Sequence, residues 1–309
     1  MDVVFYTLKS RCDDLDISVL KVIPDGRSVA VLQLAHGMCG SKERFLPFMK
    51  YMAGRGVACY ANDHRGHGQS VRKDEDLGYM YGAGEEGIVD DMKLLSDHIK
   101  EEYEGLPLFL LGHSMGSMAV RACLKKYPEI IDGVILCGSP GYSPAAPLGY
   151  ALSSFLCRCG LGRIRAGIIQ NHTSRMYNRP FASEGYQAWT CSDPAVRKSF
   201  AGNPRHNFIM TFDGSKALLG LMLQAYSSET KKKADDGLPI LFLSGEEDPC
   251  MGGTAGLGKA VAVMRESGYR RISVKIYPAM RHEVLNEIGK ERVWRDIIYF
   301  MGLWPICKP

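Results

Sequence analysis

The chain has 309 residues, 46% hydrophobic and 23% charged, an ordinary globular composition that excludes disorder, collagen-like repeats and low-complexity scaffolds. Thirty-eight basic against 34 acidic residues leave a net charge of only +4, a field too weak to point to a nucleic acid. This length suits one large α/β domain, or one domain carrying an insertion, better than two equal domains.

The opening MDVVFYTLKSRCDDLD has no basic stretch followed by an apolar one, so no signal peptide is expected. No apolar run approaches the roughly 18–20 residues that span a bilayer, and a soluble, cytoplasmic protein is expected. The ten cysteines are scattered, with only Cys157 and Cys159 close together. Paired Cys-x-x-Cys spacing is missing, which argues against structural zinc, and a reduced compartment is the simplest reading.

Residues 3–8 and 17–22 are rich in β-branched and aromatic side chains around a polar stretch at 11–16, which predicts an antiparallel pair. The pattern then changes to short, near-continuous apolar runs: VAVLQLA at 29–35, VACYA at 57–61, LFLL at 108–111, VILC at 134–137, ILFL at 240–243 and ISVKI at 272–276. Such runs suit strands buried on both faces of a parallel sheet. Between them, Ile88, Met92, Leu95 and Ile99 fall on one helical face, and residues 118–126, 255–267 and 291–301 are further helix candidates. Strand–helix alternation of this kind predicts a mostly parallel sheet covered on both faces.

The alternation breaks from about residue 140 to 236, where Gly, Pro, Ser and Ala mix with aromatics and short helical pieces such as ALLGLMLQAY at 217–226. A segment this long reads as an inserted cap rather than a loop. The expected organisation is a core at 1–139, a cap at 140–236 ending in a solvated loop around Lys231–Lys233, and a second core segment at 237–309.

The run LFLLGHSMG at 108–116 has the form strand, Gly-x-Ser-x-Gly, helix. A sharp reversal brings strand and helix close together, so Gly112 and Gly116 suit a turn that leaves Ser114 exposed at the strand end. A serine needs a base. Of eight histidines, His98 falls within the amphipathic helix and His113 sits on the elbow itself, pointing away from Ser114. His282 lies between a strand and the last helix, at the sheet edge where catalytic groups gather. The base needs an orienting acid. The strand ending in SGEEDP at 244–249 supplies Asp248, with Glu246 and Glu247 read as solvated or capping. Backbone N–H groups of Met38, in the turn opened by Gly37, and of Met115, next to the nucleophile, are the expected oxyanion donors.

Together these segments resemble the α/β-hydrolase superfamily, and within it the monoacylglycerol lipase/lysophospholipase-like branch (serine aminopeptidase S33 type). The matching segments are HGMCG at 36–40, NDHRGHGQS at 62–70, GHSMG at 112–116, SGEEDP at 244–249 and YPAMRHEVLNE at 277–287. The resemblance implies the α/β-hydrolase fold, with Asp63, Arg65 and His67 as scaffold. It also implies hydrolysis of a small acyl ester or lipid through an acyl-enzyme on Ser114, with Asp248 and His282 completing the triad and neither cofactor nor metal. In such enzymes the cap lines an acyl tunnel and can meet a membrane surface transiently. Phe155–Leu156, Ile168–Ile169 and Leu218–Leu223 are apolar clusters suited to that role, or to packing the cap onto the core. A serine aminopeptidase or other acyl hydrolase of the same fold is the nearest rival, the peptidase needing an acid such as Glu184 or Asp213 for the substrate amine. A carboxylate nucleophile is excluded by Ser114, and a silent ligand-binding homologue is disfavoured by the intact triad pattern. Nothing in the sequence specifies an oligomeric state.

Overall fold

The computed structural model describes residues 1–230 and 232–303. β1 (Asp2–Lys9) and β2 (Asp16–Ile23) form the antiparallel pair, with Asp2 opposite Ile23 and Lys9 opposite Asp16. They are followed by β3 (Ala30–Ala35), β4 (Val57–Asn62), β5 (Leu108–His113), β6 (Gly133–Cys137), β7 (Ile240–Gly245) and β8 (Ile272–Tyr277). Among the described residues these make one sheet in the order β1-β2-β4-β3-β5-β6-β7-β8, parallel from β4 to β8. β2 also pairs antiparallel with β4, which joins the hairpin to the parallel part.

The side-chain period of two divides each central strand between two cores. Leu108 and Leu110 of β5 enter one core, shared with α2 (Gly84–Glu102), α3 (Met115–Lys126) and α8 (Gly253–Glu266). Phe109 and Leu111 enter the other, against α1 (Leu46–Ala53) and α9 (Glu291–Phe300). The expected helical face is there: Ile88, Met92, Leu95 and Ile99 are all buried. This is the mostly parallel sheet, covered on both faces, that the sequence predicts. One strand departs from expectation. Residues 272–276 read as buried on both faces, yet β8 is an edge strand with Ser273, Val274 and Lys275 exposed. A terminal strand has a neighbour on one side only, and the Ser and Lys in this run suit an open edge.

The chain leaves the sheet after β6 and returns at β7. Between them lie α4 (Ala146–Arg158), α5 (Gly167–Asn178), α6 (Pro194–Ala201) and α7 (Phe212–Tyr226). α7 buries Ala217, Leu221 and Ala225 in the same core as α2 and α3. Its last carbonyls, free of intrahelical partners, are met by two cations of α3. Arg121 Nη2 donates to Ala225 O at 2.6 Å, with its guanidinium 4.4 Å from the Tyr226 ring centre, and Lys125 Nζ donates to Gln224 O and Ser227 O. Cations at a helix C-terminus complement its dipole. Burial, with Arg121 next, lowers the Lys125 ammonium to about 8. Of the Lys231–Lys233 run, Lys231 lies outside the described residues, as do residues 304–309 with Cys307. The nine described cysteines are free thiols, six of them buried.

The scaffold residues implied by the resemblance hold two buried ion pairs. Lys42 Nζ reaches Asp63 Oδ2 at 2.6 Å, while Asp63 also accepts from the backbone N–H groups of Lys42 and Gln69, both at 2.8 Å. Arg65, fully buried, donates to Asp91 at 2.8 Å and to Ser10 Oγ at 2.8 Å. Removing one partner leaves a buried charge uncompensated. Arg65→Met is therefore expected to lower the unfolding free energy by about 3–5 kcal/mol in urea titrations, with part of the loss recovered in Arg65→Met/Asp91→Leu. A loss below about 1 kcal/mol would show that the pair contributes no more than a surface pair.

Candidate active site

β5 runs into α3 through Ser114, whose backbone takes φ 54 and ψ −119. A side chain in this region costs about 1–3 kcal/mol and persists only where its surroundings enforce it. The Ser114 N–H donates to Cys137 O of β6 at 3.0 Å. Its carbonyl accepts from Ser117 N at 2.8 Å and from Ser117 Oγ at 2.7 Å. The flanking glycines are dictated by space. A Cβ on Gly112 would lie 2.4 Å from Gly116 O, and one on Gly116 only 2.1 Å from Ala35 O. Ser114 is left half-buried at the C-terminal edge of the central strand.

The acid candidate stands two strands away. Beyond β7, Asp248 accepts from Cys250 N at 2.8 Å through Oδ1. Its Oδ2 lies 2.9 Å from His282 Nδ1, and both residues are buried. With the carboxylate ionised, this bond puts the proton on Nδ1 and leaves Nε2 as an acceptor. The two loops are laced together by Glu246 N to Tyr277 O at 3.0 Å and Glu247 N to Met280 O at 2.9 Å. Glu246 and Glu247 are exposed, as read from sequence, and Glu247 faces the Arg281 guanidinium at 3.6 Å. Gly138, directly after β6, has φ 53, and a Cβ there would sit 2.7 Å from His282 O and 3.2 Å from its Nδ1. The end of β6 thus touches Ser114 on one side and His282 on the other.

The loop after β3 closes over the elbow, and Gly37 packs on the His113 and Ser114 side chains. The carbonyl of Gly37 accepts from His36 Nδ1 at 2.8 Å and from Gly40 N at 3.1 Å. Because the peptide is trans, the N–H of Met38 points the opposite way from that pinned carbonyl. Met115 N–H is the first of α3, where helix N–H groups lack internal acceptors. One detail differs from expectation. The positive φ of this loop, 54, falls on Cys39 rather than Gly37, and Gly37 is required instead by its close approach to the elbow. His36 Nε2 accepts from His64 N at 2.9 Å, which fixes the ring as a donor through Nδ1. Burial, then the neighbouring His64 and His67, hold His36 well below its ordinary value. Burial brings His64 to about 3 and His67 to about 4. These rings pack as neutral groups, with His36 and His64 4.4 Å apart at their centres.

Several residues at the site have contacts that the sequence does not reveal. His113, read there as pointing away from Ser114, packs its ring 4.8 Å from that of His282 and donates through Nε2 to His282 O at 3.3 Å. Burial, then His282 and Arg44, push it well below its ordinary value. From the segment between β6 and β7, Trp189 places its ring 5.0 Å from His282 and 5.1 Å from Tyr177. That segment is fastened to the His282 loop. Arg281 grips Glu184 at 2.6 and 2.9 Å and Ala188 O at 2.7 Å. Glu283 N donates to Thr190 O at 2.8 Å, and Glu287 Oε1 accepts from Arg281 N and Ser192 N, each at 2.9 Å. Glu184 is therefore engaged by Arg281. Asp213 is buried and accepts from Met80 N at 2.9 Å and Gly82 N at 3.1 Å.

Comparison with known proteins agrees with this architecture. The profile of the family described as "Serine aminopeptidase, S33" matches residues 26–289. The chain is 26% identical over 278 residues to a monoacylglycerol lipase of Mycolicibacterium smegmatis, covering 89% of this chain and 88% of that protein. It is 24% identical over 301 residues to the monoglyceride lipase of Mus musculus, covering 91% and 84%. Among solved structures, a carboxyl esterase from Bacillus coagulans superposes with a TM-score of 0.89 at 24% identity, over 98% of both chains. The mostly parallel sheet, its elbow and the family match together place the chain in the α/β-hydrolase superfamily, as a member of the serine aminopeptidase S33 family on the branch that contains the monoacylglycerol lipases.

Proposed function

We propose that the chain is a serine hydrolase of carboxylic esters, acting on monoacylglycerol-like lipids. The observation that carries this reading is the buried Asp248–His282 bond of 2.9 Å, set at the same sheet edge as a serine held at positive φ. In the proposed cycle His282 Nε2 takes the proton of Ser114 as its Oγ attacks the ester carbonyl. Asp248 orients the ring and stabilises the imidazolium, and the N–H groups of Met38 and Met115 receive the oxyanion. His282 then protonates the departing alcohol. An acyl-enzyme remains, which water cleaves by the reverse sequence of proton transfers.

The substrate class follows from three supports. The relatives that match over most of their length are named monoacylglycerol or monoglyceride lipases. The two acids that a peptidase reading would use for a substrate amine are already engaged, Glu184 by Arg281 and Asp213 by backbone N–H groups. We assign residues 140–236 as the cap over a core of 1–139 and 237–309. Within that cap Leu148, Leu152 and Phe155 share one face of α4, with Leu148 75% and Phe155 61% exposed. Ile168 on α5 is exposed as well. Exposed apolar clusters of this kind mark lipid or protein contact surfaces, and we assign this one to transient contact with a membrane surface. Among the described residues no helix is long and apolar enough to cross a membrane, and we place the enzyme in the cytoplasm as a peripheral protein.

A fluorophosphonate probe is expected to label the wild-type protein and not Ser114→Ala, whose kcat on p-nitrophenyl esters should fall by about a thousandfold or more. Equal labelling of the variant would overturn the mechanism. On a substrate panel, hydrolysis of 1-monoacylglycerol should exceed that of aminoacyl-nitroanilides, and the opposite order would replace the lipase reading by the peptidase one. The triple variant Leu148→Ser/Leu152→Ser/Phe155→Ser should lose vesicle binding in flotation while keeping its rate on a short soluble ester. Unchanged flotation would remove the membrane role of α4.

A further inference from the structure

The acid and base have a third neighbour that the proposed cycle does not use. Asp248, Cys250 and His282 are all buried, and each offers one donor atom, oxygen, sulfur or nitrogen, lying within 4.8 Å of the other two. The turn makes this so. Asp248 Oδ1 accepts from Cys250 N at 2.8 Å, Pro249 starts the single 3-10 turn Pro249–Met251, and Gly252 closes it with φ 72. Residue 250 is thereby held beside the carboxylate that orients His282. The Tyr177 hydroxyl of α5 is a further neighbour of the Cys250 sulfur.

We infer that these three side chains form an inhibitory binding site for a borderline-soft divalent cation, Zn²⁺ being the best match, built on the catalytic acid and base. One imidazole, one thiolate and one carboxylate are the donor types of zinc sites, whereas Mg²⁺ and Ca²⁺ require oxygen donors. Tetrahedral zinc separates such donors by about 3.3–3.6 Å. The Asp248–His282 pair, now at 2.9 Å, has to open by about 0.5 Å, and the widest pair, within 4.8 Å, to close by no more than about 1.2 Å. Binding therefore requires side-chain shifts of about an ångström or less at each residue. Burial and the Asp248 charge push the Cys250 thiol well above its ordinary value, so little free thiolate is available to an oxidant or alkylating agent. A metal ion differs, because coordination itself drives off the thiol proton.

The inhibitory consequence follows from proton placement. In the resting site Nδ1 carries the proton and Nε2 the free pair that must accept from Ser114. A cation on Nδ1 moves the ring proton to Nε2, and the thiol proton leaves to solvent. His282 then has no free pair toward Ser114, and its bond to Asp248 is replaced by two bonds to the metal.

Cation binding does not depend on the hydrolase reading; only inhibition rests on it. The test titrates the full-length wild-type protein, Ser114→Ala and Cys250→Ala with Co²⁺ and records the near-ultraviolet thiolate-to-cobalt charge-transfer band. Wild type and Ser114→Ala should both develop the band, Zn²⁺ should bleach it, and Cys250→Ala should lack it. Zn²⁺ should also inhibit wild-type ester hydrolysis, reversibly with EDTA. The half-inhibiting concentration should rise at least about tenfold in Cys250→Ala, each variant being scaled to its own uninhibited rate. Should Cys250→Ala fail to fold by circular dichroism, Cys250→Ser takes its place. A missing band, a band of equal strength without Cys250, or equal Zn²⁺ inhibition of the variant overturns the site. A Cys250-dependent band in a protein without esterase activity supports the site while refuting the proposed function.

Discussion

The active-site architecture depends on one steric constraint, the crowding at the reversal from β5 to α3. A Cβ on Gly116 would come within 2.1 Å of the Ala35 carbonyl oxygen, so the backbones pack too closely there for any side chain, and the chain enters α3 through Ser114 at φ 54. Because β3 and β5 are parallel neighbours, the loop after β3 lies against the elbow, where Gly37 meets the His113 and Ser114 side chains. Cys137, at the end of the next strand, accepts the Ser114 N–H. Local strain at one serine is thus held by three adjacent strands, each buried on both faces.

The proposed base is held differently. His282 lies on a loop beyond an exposed edge strand, where strand pairing alone gives little rigidity. Its position comes from three sources: the carboxylate of Asp248, the neutral ring of His113, and the segment at 184–192 tied down by Arg281, Glu283 and Glu287. That last set links the segment between β6 and β7 to the base, and Trp189 covers the imidazole from the same segment. Arg121 and Lys125 hold the segment's other end by reading the C-terminus of α7. These links are polar, whereas α4 and α5, earlier in the same segment, expose apolar side chains.

Much of this was legible in the linear chain, for identifiable reasons. Central strands buried on both faces must be nearly all apolar, so β3 to β7 stand out as short runs. The face of α2 shows as a spacing of three and four. Gly112 and Gly116 announce a backbone approach too close for any Cβ. The edge position of β8 is hidden because ISVKI is apolar enough to resemble a central strand, although Ser273 and Lys275 belong to an open edge. Neighbouring side chains on a chain point apart, which separates His113 from Ser114 but leaves it free to pack on a histidine 169 residues away. Trp189 and Tyr177 come from stretches without periodicity, and no local rule marks them, while Arg281 lies in a recognisable segment that gives no hint of its partner Glu184.

The sequence by itself determined the sheet, the elbow, the candidate Ser114, Asp248 and His282, and the family resemblance, because each rests on short-range pattern: apolar runs, glycines at fixed spacing, a carboxylate or imidazole just past a strand. Tertiary structure alone decided which groups surround them. It turned the His36, His64 and His67 cluster into neutral packing, tied up Glu184 and Asp213, and put a thiol beside the acid and base. Along the chain Cys250 is one scattered cysteine among ten, without metal-ligand spacing. In the fold it stands with His282 because two loops from adjacent parallel strands end at the same edge, and proximity of that kind is fixed by strand order rather than by sequence separation.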